Sequence, residues 1–181
     1  MSRRNYEEYK ELNRNPLPNV GITVGLLNDD CFDDWKVTFL GPNDTPYKGG
    51  LFFLRIHFPP DYPNKAPEVY FATPIYHVNV NPCVPKDEGS ESLGHVCIST
   101  LNWWKPEYKI KEVLLNIYSL FYIHNPDSPY GIDRAKEYKQ NFSLYEEKIK
   151  YFTKKYAGIR KSTSLSQNYN RTKDWNFNYN K

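Results

Sequence analysis

The first hydrophobic residues of the chain recur at a helical period. Tyr6, Tyr9 and Leu12 are spaced three residues apart within residues 3–13, and most positions between them are charged. This spacing predicts an amphipathic helix. The prolines that begin at Pro16 would end it, because proline has no backbone N–H to donate.

Farther along the chain, hydrophobic residues occur at every second position and no longer at helical spacing. The clearest case is residues 51–58, where Phe52, Leu54 and Ile56 would share one face of a strand. Short turns rich in proline and glycine separate this run from similar runs at residues 22–26, 35–40 and 69–71. Because short connections join antiparallel neighbours, the pattern predicts a four-stranded antiparallel meander.

An irregular segment and a second helical region follow the strands. Prolines interrupt residues 73–109, and irregular segments of this length in a compact domain are usually functional or disordered. Helical spacing then predicts three helices, with Ser143 as the N-cap of the last, over residues 110–121, 131–141 and 143–157. The expected fold class is α+β: an N-terminal helix, the meander, an irregular active-site segment and three C-terminal helices.

Composition and charge divide the chain into a domain and a tail. The 181 residues are 39% hydrophobic, which is enough for one core, and we assign a single domain to residues 1–157. Residues 158–181 lack periodicity and carry a net charge of +4, against −1 for the rest of the chain, so we predict a flexible, polar, basic tail. The domain itself is near neutral, which argues against nucleic-acid binding.

Cysteine content and hydropathy indicate the environment. The chain has only three cysteines, at positions 31, 83 and 97, which does not suit a disulfide framework and favours a reducing, intracellular setting in cytoplasm or nucleus. Residues 1–6 lack the apolar core of a secretion signal, and no run approaches the roughly 18 apolar residues of a membrane span. We therefore expect no membrane association.

Cys97 is the residue with the clearest chemical interpretation. It lies between Val96 and Ile98 in a short apolar turn, downstream of a His-x-Asn sequence at residues 77–79. A thiolate in such a turn can hold an acyl group as a thioester. The alternative is a buried cysteine that acts only as a small hydrophobic side chain.

Two other kinds of site use the same residues. A cysteine hydrolase would combine Cys97 with His95 and Asn79, but hydrolase bases usually lie far from the nucleophile in sequence, and His95 is two residues away. A zinc site would use His77, Cys83, His95 and Cys97, but their spacing matches no common zinc pattern. We therefore expect no metal.

Seven landmarks occur in one register between residues 3 and 157. They are Trp35, the Gly-Pro-Asn-Asp segment at residues 41–50, the Phe-Pro-Pro segment at 58–67, Ile-Tyr-His-Val-Asn at 75–79, Gly-His-Val-Cys-Ile at 94–98, Trp-Lys-Pro at 104–106 and Asn-Pro-Asp-Ser-Pro at 125–129. In this order they resemble the ubiquitin-conjugating enzyme family. The resemblance implies the α+β fold of that family.

The resemblance implies that Cys97 carries ubiquitin. Cys97 would accept the C-terminus of ubiquitin from an activating enzyme as a thioester and pass it to a lysine of a protein substrate, usually with a ligase. The activating enzyme consumes the ATP, so no cofactor is expected, and we expect a monomer. Two alternatives stay open: a carrier of a SUMO- or NEDD8-like modifier, and a non-catalytic scaffold that binds ubiquitin or a ligase.

The resemblance also suggests roles for residues around Cys97. Asn79 matches the asparagine of the family's His-Pro-Asn motif, which would donate to the developing oxyanion or brace the loop that positions it. Asp127 and Ser128 match the segment that helps desolvate or deprotonate the lysine, with a helix cap as the alternative. His77 is implied to be structural.

Eight residues match the partner surfaces of the family. The activating enzyme is implied to bind Arg3 and Arg4. Ligases are implied to bind Pro63, Asn64, Lys105 and Pro106, and donor ubiquitin is implied to pack against Leu115 and Ser119. Asn64 stands where some members have an aromatic residue, so we expect a different set of ligases. For Leu115, ordinary helix packing is the alternative.

The chain departs from the family pattern at two places. Val78 replaces the middle proline of His-Pro-Asn, which would make the loop less rigid. Residues 82–93 are inserted between Asn79 and Cys97, and we interpret them as an acidic lip that selects substrates or covers the thioester. A plain surface loop is the alternative. A second hypothesis is that Cys83 pairs with Cys97 on oxidation.

Overall fold

The computed structural model describes residues 3–17, 21–28, 31–82 and 94–158. The basic tail from residue 159 onward and nearly all of the insertion, including Cys83, lie outside the described residues. The predictions of an acidic lip, of a Cys83–Cys97 disulfide and of a flexible tail therefore stay predictions.

The observed elements follow the predicted order. They are α1 (Arg3–Arg14), β1 (Ile22–Asn28), β2 (Cys31–Leu40), β3 (Leu51–His57), β4 (Glu68–Phe71), α2 (Ser99–Asn102), α3 (Ile110–Ser119), α4 (Ile132–Gln140) and α5 (Phe142–Phe152), followed by a wider π-type turn (Thr153–Ala157). The strands pair antiparallel in the order β1-β2-β3-β4, so the predicted meander is confirmed. None of the described helices is long and apolar enough to cross a bilayer.

Alternation along β3 determines which face of the sheet packs inward. Phe52, Leu54 and Ile56 are fully buried in the main core, as the sequence pattern predicts. On the opposite face, Arg55 Nε and His57 Nδ1 lie 2.7 and 3.2 Å from Asp34 Oδ1 of β2. Each fully buried aliphatic or phenyl side chain contributes about 1.5–3 kcal/mol, so this face anchors the sheet to the helices.

Helix α3 packs behind the sheet. Its residues Val113, Leu114 and Ile117 are buried at helical spacing, and the ring of Phe121, just beyond the helix, lies 6.1 Å from that of Phe39 on β2. The helix begins where the Glu112 carboxylate accepts from the Lys109 N–H at 3.1 Å. The core therefore lies between the sheet and α3.

A buried carboxylate joins α1 to this core. Glu8 is 4% exposed and accepts hydrogen bonds from Arg4 Nε at 2.5 Å, Tyr62 Oη at 2.7 Å and the Ile110 N–H at 2.6 Å. Charge-assisted hydrogen bonds of this kind are among the strongest in proteins. Through them α1, the loop after β3 and the start of α3 are held as one unit.

The N-cap predicted for the last helix is wrong, and the helix-cap alternative for Asp127 and Ser128 is not met at α4. Asn141, and not Ser143, caps α5, because its Oδ1 accepts from the Leu144 N–H at 3.1 Å. Asparagine and serine are equally good N-caps, so composition alone does not choose between them. Asp127 and Ser128 do not cap α4, since that helix has Gly131 at its N-cap.

Candidate active site

Cys97 lies at the end of a short extended segment that pairs with the edge of the sheet. The Phe71 N–H donates to Gly94 O at 2.8 Å, and the Val96 N–H donates to Val69 O at 3.3 Å. Gly94 has a φ of +73°, and a Cβ there would come within 2.3 Å of Phe71 O, so only glycine fits. The backbone before Cys97 is therefore fixed by the sheet.

The residues that flank the insertion on its two sides are hydrogen-bonded to each other. The Asn81 N–H donates to His95 O at 2.9 Å, and the Gly94 N–H donates to Asn81 O at 3.1 Å. The Cys97 N–H donates to Asn79 O at 3.0 Å. These bonds form a stem, residues 79–82 with 94–97, that places the base of the insertion beside Cys97.

The sulfur of Cys97 is partly exposed and has a polar neighbour. Asn102 Nδ2, at the end of α2, donates to Cys97 Sγ at 3.4 Å. This contact fixes the position of the sulfur against the end of α2. Asn102 was not identified from the sequence, because no motif there marks a residue five positions after a cysteine.

Asn79 uses its side chain to hold the segment at residues 125–128. Its Nδ2 donates to Asn125 O and to Ser128 O, both at 2.9 Å, and its Oδ1 accepts from the Asn125 N–H at 2.9 Å. A side-chain amide has two N–H donors, and both are engaged with carbonyls. The geometry favours bracing of the loop over donation to an oxyanion.

His77 is held in one neutral tautomer. Its Nδ1 accepts from the Asn79 N–H at 2.9 Å, so its Nε2 donates to Leu120 O, also at 2.9 Å. Burial lowers the pKa of His77 well below its usual value. Its ring stacks on that of His124, with centroids 4.4 Å apart. Both ring nitrogens are thus occupied in holding the loop.

Arg134 supports the same loop from α4. Its Nη1 donates to His77 O at 3.0 Å and to Val80 O at 3.2 Å, and its guanidinium lies 4.5 Å from the centroid of the Tyr76 ring. Among the described residues, no three His, Cys, Asp or Glu side chains converge as metal ligands.

Comparison with protein-family models gives a match that covers most of the chain. The model described as "Ubiquitin-conjugating enzyme" matches residues 4–153. The chain belongs to the ubiquitin-conjugating enzyme family. The family predicted from the motifs is confirmed, and so is its α+β fold. A broad role in ubiquitin conjugation, with ubiquitin, activating enzymes and ligases as the usual partners of the family, follows from this membership.

Val78, which replaces the family's motif proline, introduces a backbone N–H that proline would lack. This N–H donates to Tyr145 Oη at 2.9 Å inside the core. Tyr145 is fully buried on α5, 67 positions away in sequence. The tyrosine hydroxyl thus accepts from the N–H that valine introduces, and the loop stays anchored without the ring of proline.

Removal of that hydroxyl is expected to destabilise the domain. Tyr145→Phe leaves the Val78 N–H buried without an acceptor, which costs about 1–3 kcal/mol. Urea unfolding measures the loss. In a Val78→Pro background there is no N–H to leave unpaired, so the same change should cost less. Equal losses in the two backgrounds would contradict this explanation.

The stacked histidines predict a loss of stability in mild acid. Burial lowers the pKa of His124 to about 4, against 6.5 when unfolded. Below pH 6.5 the unfolded chain therefore binds a proton that the folded chain resists. Stability should fall by about 3 kcal/mol between pH 6.5 and 4 from this group alone. Urea unfolding midpoints measured across this pH range test the effect. In His124→Gln, the fall in stability between pH 6.5 and 4 should be smaller by about 3 kcal/mol.

The two residues matched to the lysine-activating segment of ubiquitin-conjugating enzymes are exposed. The Asp127 carboxylate forms an ion pair with Lys139 of α4 at 2.7 Å, and its side chain is 82% exposed. Ser128 contributes its backbone carbonyl to Asn79, and its side chain has no hydrogen bond among those described. Neither arrangement brings a strong base toward Cys97.

The loops matched to ligase docking adjoin each other and α1. Trp104 Nε1 donates to Pro63 O at 2.7 Å, and Arg4 Nη1 and Nη2 donate to Pro106 O and Tyr108 O at 3.5 and 3.2 Å. The other two residues matched to ligase docking, Asn64 and Lys105, are both exposed. The Arg3 side chain is not among those described.

The residues matched to donor-ubiquitin contact lie on one face of α3. Leu115 and Ser119 are four positions apart, so they are neighbours on the helix surface. Leu115 is 40% exposed, so packing into the core does not account for it. Ser119 Oγ donates to Asn116 O at 2.7 Å.

Proposed function

We propose that the protein accepts ubiquitin from an activating enzyme as a thioester on Cys97 and transfers it to a lysine of a protein substrate. The observation that carries the proposal is a partly exposed cysteine, fixed by the edge of the sheet, whose sulfur accepts a hydrogen bond from Asn102. The family match supports it.

The two steps need little from the protein beyond position. In the first, the Cys97 thiolate attacks the thioester carbonyl carbon presented by the activating enzyme, a new C–S bond forms, and the enzyme's thiolate leaves. In the second, a neutral lysine amine attacks the same carbon, a C–N bond forms, the C–S bond breaks, and the Cys97 sulfur leaves with the proton that the nitrogen gives up. No resident cofactor takes part in either step.

In this proposal Asn79 positions the site and does not react. Its two N–H groups hold the carbonyls of Asn125 and Ser128, so the segment that borders Cys97 keeps its shape. Asp127 and Ser128 then define the border of the lysine entrance. Asp127 lies there in an ion pair with Lys139, and Ser128 has only a weakly basic hydroxyl.

Partner contacts are proposed on two separate surfaces. Arg4 of α1 adjoins the loops at residues 63–64 and 105–106, and together they are the surface proposed for the activating enzyme and ligases, which suits partners that bind in turn. Leu115 and Ser119 on α3 form the second surface, against which donor ubiquitin would pack.

A thioester assay tests the proposal. The protein is mixed with ubiquitin-activating enzyme, ATP and ubiquitin, and the products are run on a gel with and without reductant. We expect an adduct that reductant removes. If an adduct forms only with a SUMO- or NEDD8-like modifier and its own activating enzyme, the protein carries that modifier and not ubiquitin. No adduct with any of them would contradict the carrier function and favour a non-catalytic scaffold.

A further inference from the structure

The His95 side chain has no role in the two steps as described so far. It lies two residues before Cys97 on the same extended segment, with the buried Val96 between them. Because side chains alternate along an extended backbone, those of His95 and Cys97 emerge on the same side. Both are partly exposed. An imidazole therefore stands beside the proposed thioester.

Tyr130 connects this imidazole to the loop braced by Asn79. Its hydroxyl lies 2.9 Å from His95 Nδ1, and its backbone N–H donates to Val78 O at 2.8 Å. Burial raises the pKa of Tyr130, and the charge of the nearby Cys97 raises it further. Tyr130 therefore borders both His95 and Cys97.

The groups that face His95 keep it neutral at pH 7. On β4, the Tyr70 ring packs edge-on against the His95 ring, with centroids 5.3 Å apart. The Tyr70 hydroxyl donates to Glu68 Oε2 at 2.9 Å. Among the described residues, Glu68 is the charged group that acts on His95, and it raises the pKa. Burial has the larger effect and lowers the pKa of His95 below its usual value. A neutral imidazole can accept a proton.

The proposed transfer requires such an acceptor. A lysine side chain has a pKa of about 10.4, so at pH 7 it arrives as an ammonium and must lose a proton before it attacks. The hydroxyl of Ser128 is a poor base, and Asp127 is paired with Lys139 in solvent. Another group is therefore needed as the general base.

We propose that His95 is the general base that deprotonates the attacking lysine, and that Tyr130 is the positioning residue that holds its ring. In the tautomer used, Nδ1–H donates to Tyr130 Oη and Nε2 keeps its lone pair. This inference rests on the proposed function, because it concerns the second step of that reaction.

The proton balance of the step is complete. The lysine ammonium gives one proton to His95 Nε2, and the neutral amine attacks the thioester carbon. As the C–N bond forms and the C–S bond breaks, the nitrogen loses its second proton to the departing Cys97 sulfur. The products are an amide, a Cys97 thiol and a His95 imidazolium, which returns its proton to solvent.

The experiment measures transfer separately from charging. Wild type, His95→Gln and Tyr130→Phe are charged with ubiquitin, the activating enzyme is stopped, and the discharge of each charged protein to free lysine is followed from pH 6.5 to 9.5. His95→Gln should discharge about 100-fold more slowly at pH 7. The deficit should shrink as the pH approaches the pKa of lysine, near ~10.4, because a neutral amine needs no base.

Further variants distinguish a base from a structural histidine. Tyr130→Phe should show a smaller deficit with the same pH trend. Hydroxylamine, which is neutral at pH 7, should discharge His95→Gln as fast as wild type. His57→Gln, on β3 and paired with Asp34 of β2, is the matched control and should discharge like wild type.

Several outcomes would overturn the inference without affecting the proposed function. These are discharge of His95→Gln at the wild-type rate, a deficit of constant size at every pH, and an equal deficit with hydroxylamine. If His95→Gln does not fold, the pH trend of Tyr130→Phe decides, and a flat trend rejects the base. Failure of the wild type to form any adduct would instead overturn the proposed function.

Discussion

Replacement of Cys97 by alanine is expected to abolish the reductant-sensitive adduct completely. Alanine has no nucleophile, and the geometry around Cys97 offers no second thiol in the described part of the site. Cys97→Ser should convert the adduct into an oxygen ester that reductant does not cleave, because thiols exchange with thioesters far faster than with esters. Gels run with and without reductant measure both outcomes.

Cys31 provides the matched control for this prediction. It is also a free, partly exposed cysteine, and it begins β2, away from the stem that holds Cys97. Cys31→Ala should charge like wild type. A reductant-sensitive adduct that survives Cys97→Ala would show that another cysteine carries the modifier, and Cys83 would be the next to replace.

The second large effect is expected at Asn79. Asn79→Ala removes three hydrogen bonds and leaves the Asn125 N–H and the Asn125 and Ser128 carbonyls without this partner. We expect a loss of about 3 kcal/mol, since each buried group left unpaired costs about 1–3 kcal/mol and some regain water. For a domain of this size the melting temperature should fall by about 6–12 °C.

The melting temperature decides between the two roles implied for Asn79. A bracing residue should lower both the melting temperature and the rate of discharge to lysine. An oxyanion donor should lower the rate and leave the melting temperature unchanged. Asn13→Ala, at an exposed position on α1 with a single backbone hydrogen bond, is the control and should change neither quantity appreciably.

The sheet and the long helices could be predicted because their signals are local. Residues 51–58 alternate, and the positions of Val113, Leu114 and Ile117 repeat at helical spacing, so each element can be identified from its own residues. The four-residue helix α2 and the π-type turn could not be predicted, since neither is long enough to show a period.

The candidate site could be predicted only in part. Its cysteine and the His-x-Asn sequence are local motifs, and the order of the landmarks identified the family. The supporting contacts are not local: Val78 meets Tyr145 across 67 positions, and Asn79 meets the 125–128 segment across 46–49. Such pairs form only when the chain folds, so no spacing in the sequence indicates them. His95 and Tyr130, 35 positions apart, belong to the same class.

The stem at Asn81 and Gly94 has a consequence for how the protein can diversify. Because the two strands of the stem are hydrogen-bonded to each other and to the sheet, the chain between them starts and returns at one point. Closing a longer flexible loop is inexpensive, at about 0.6 kcal/mol for each doubling of its length. Evolution, or an experimenter, can therefore exchange this segment for one of different length or chemistry beside Cys97 while the framework stays as it is.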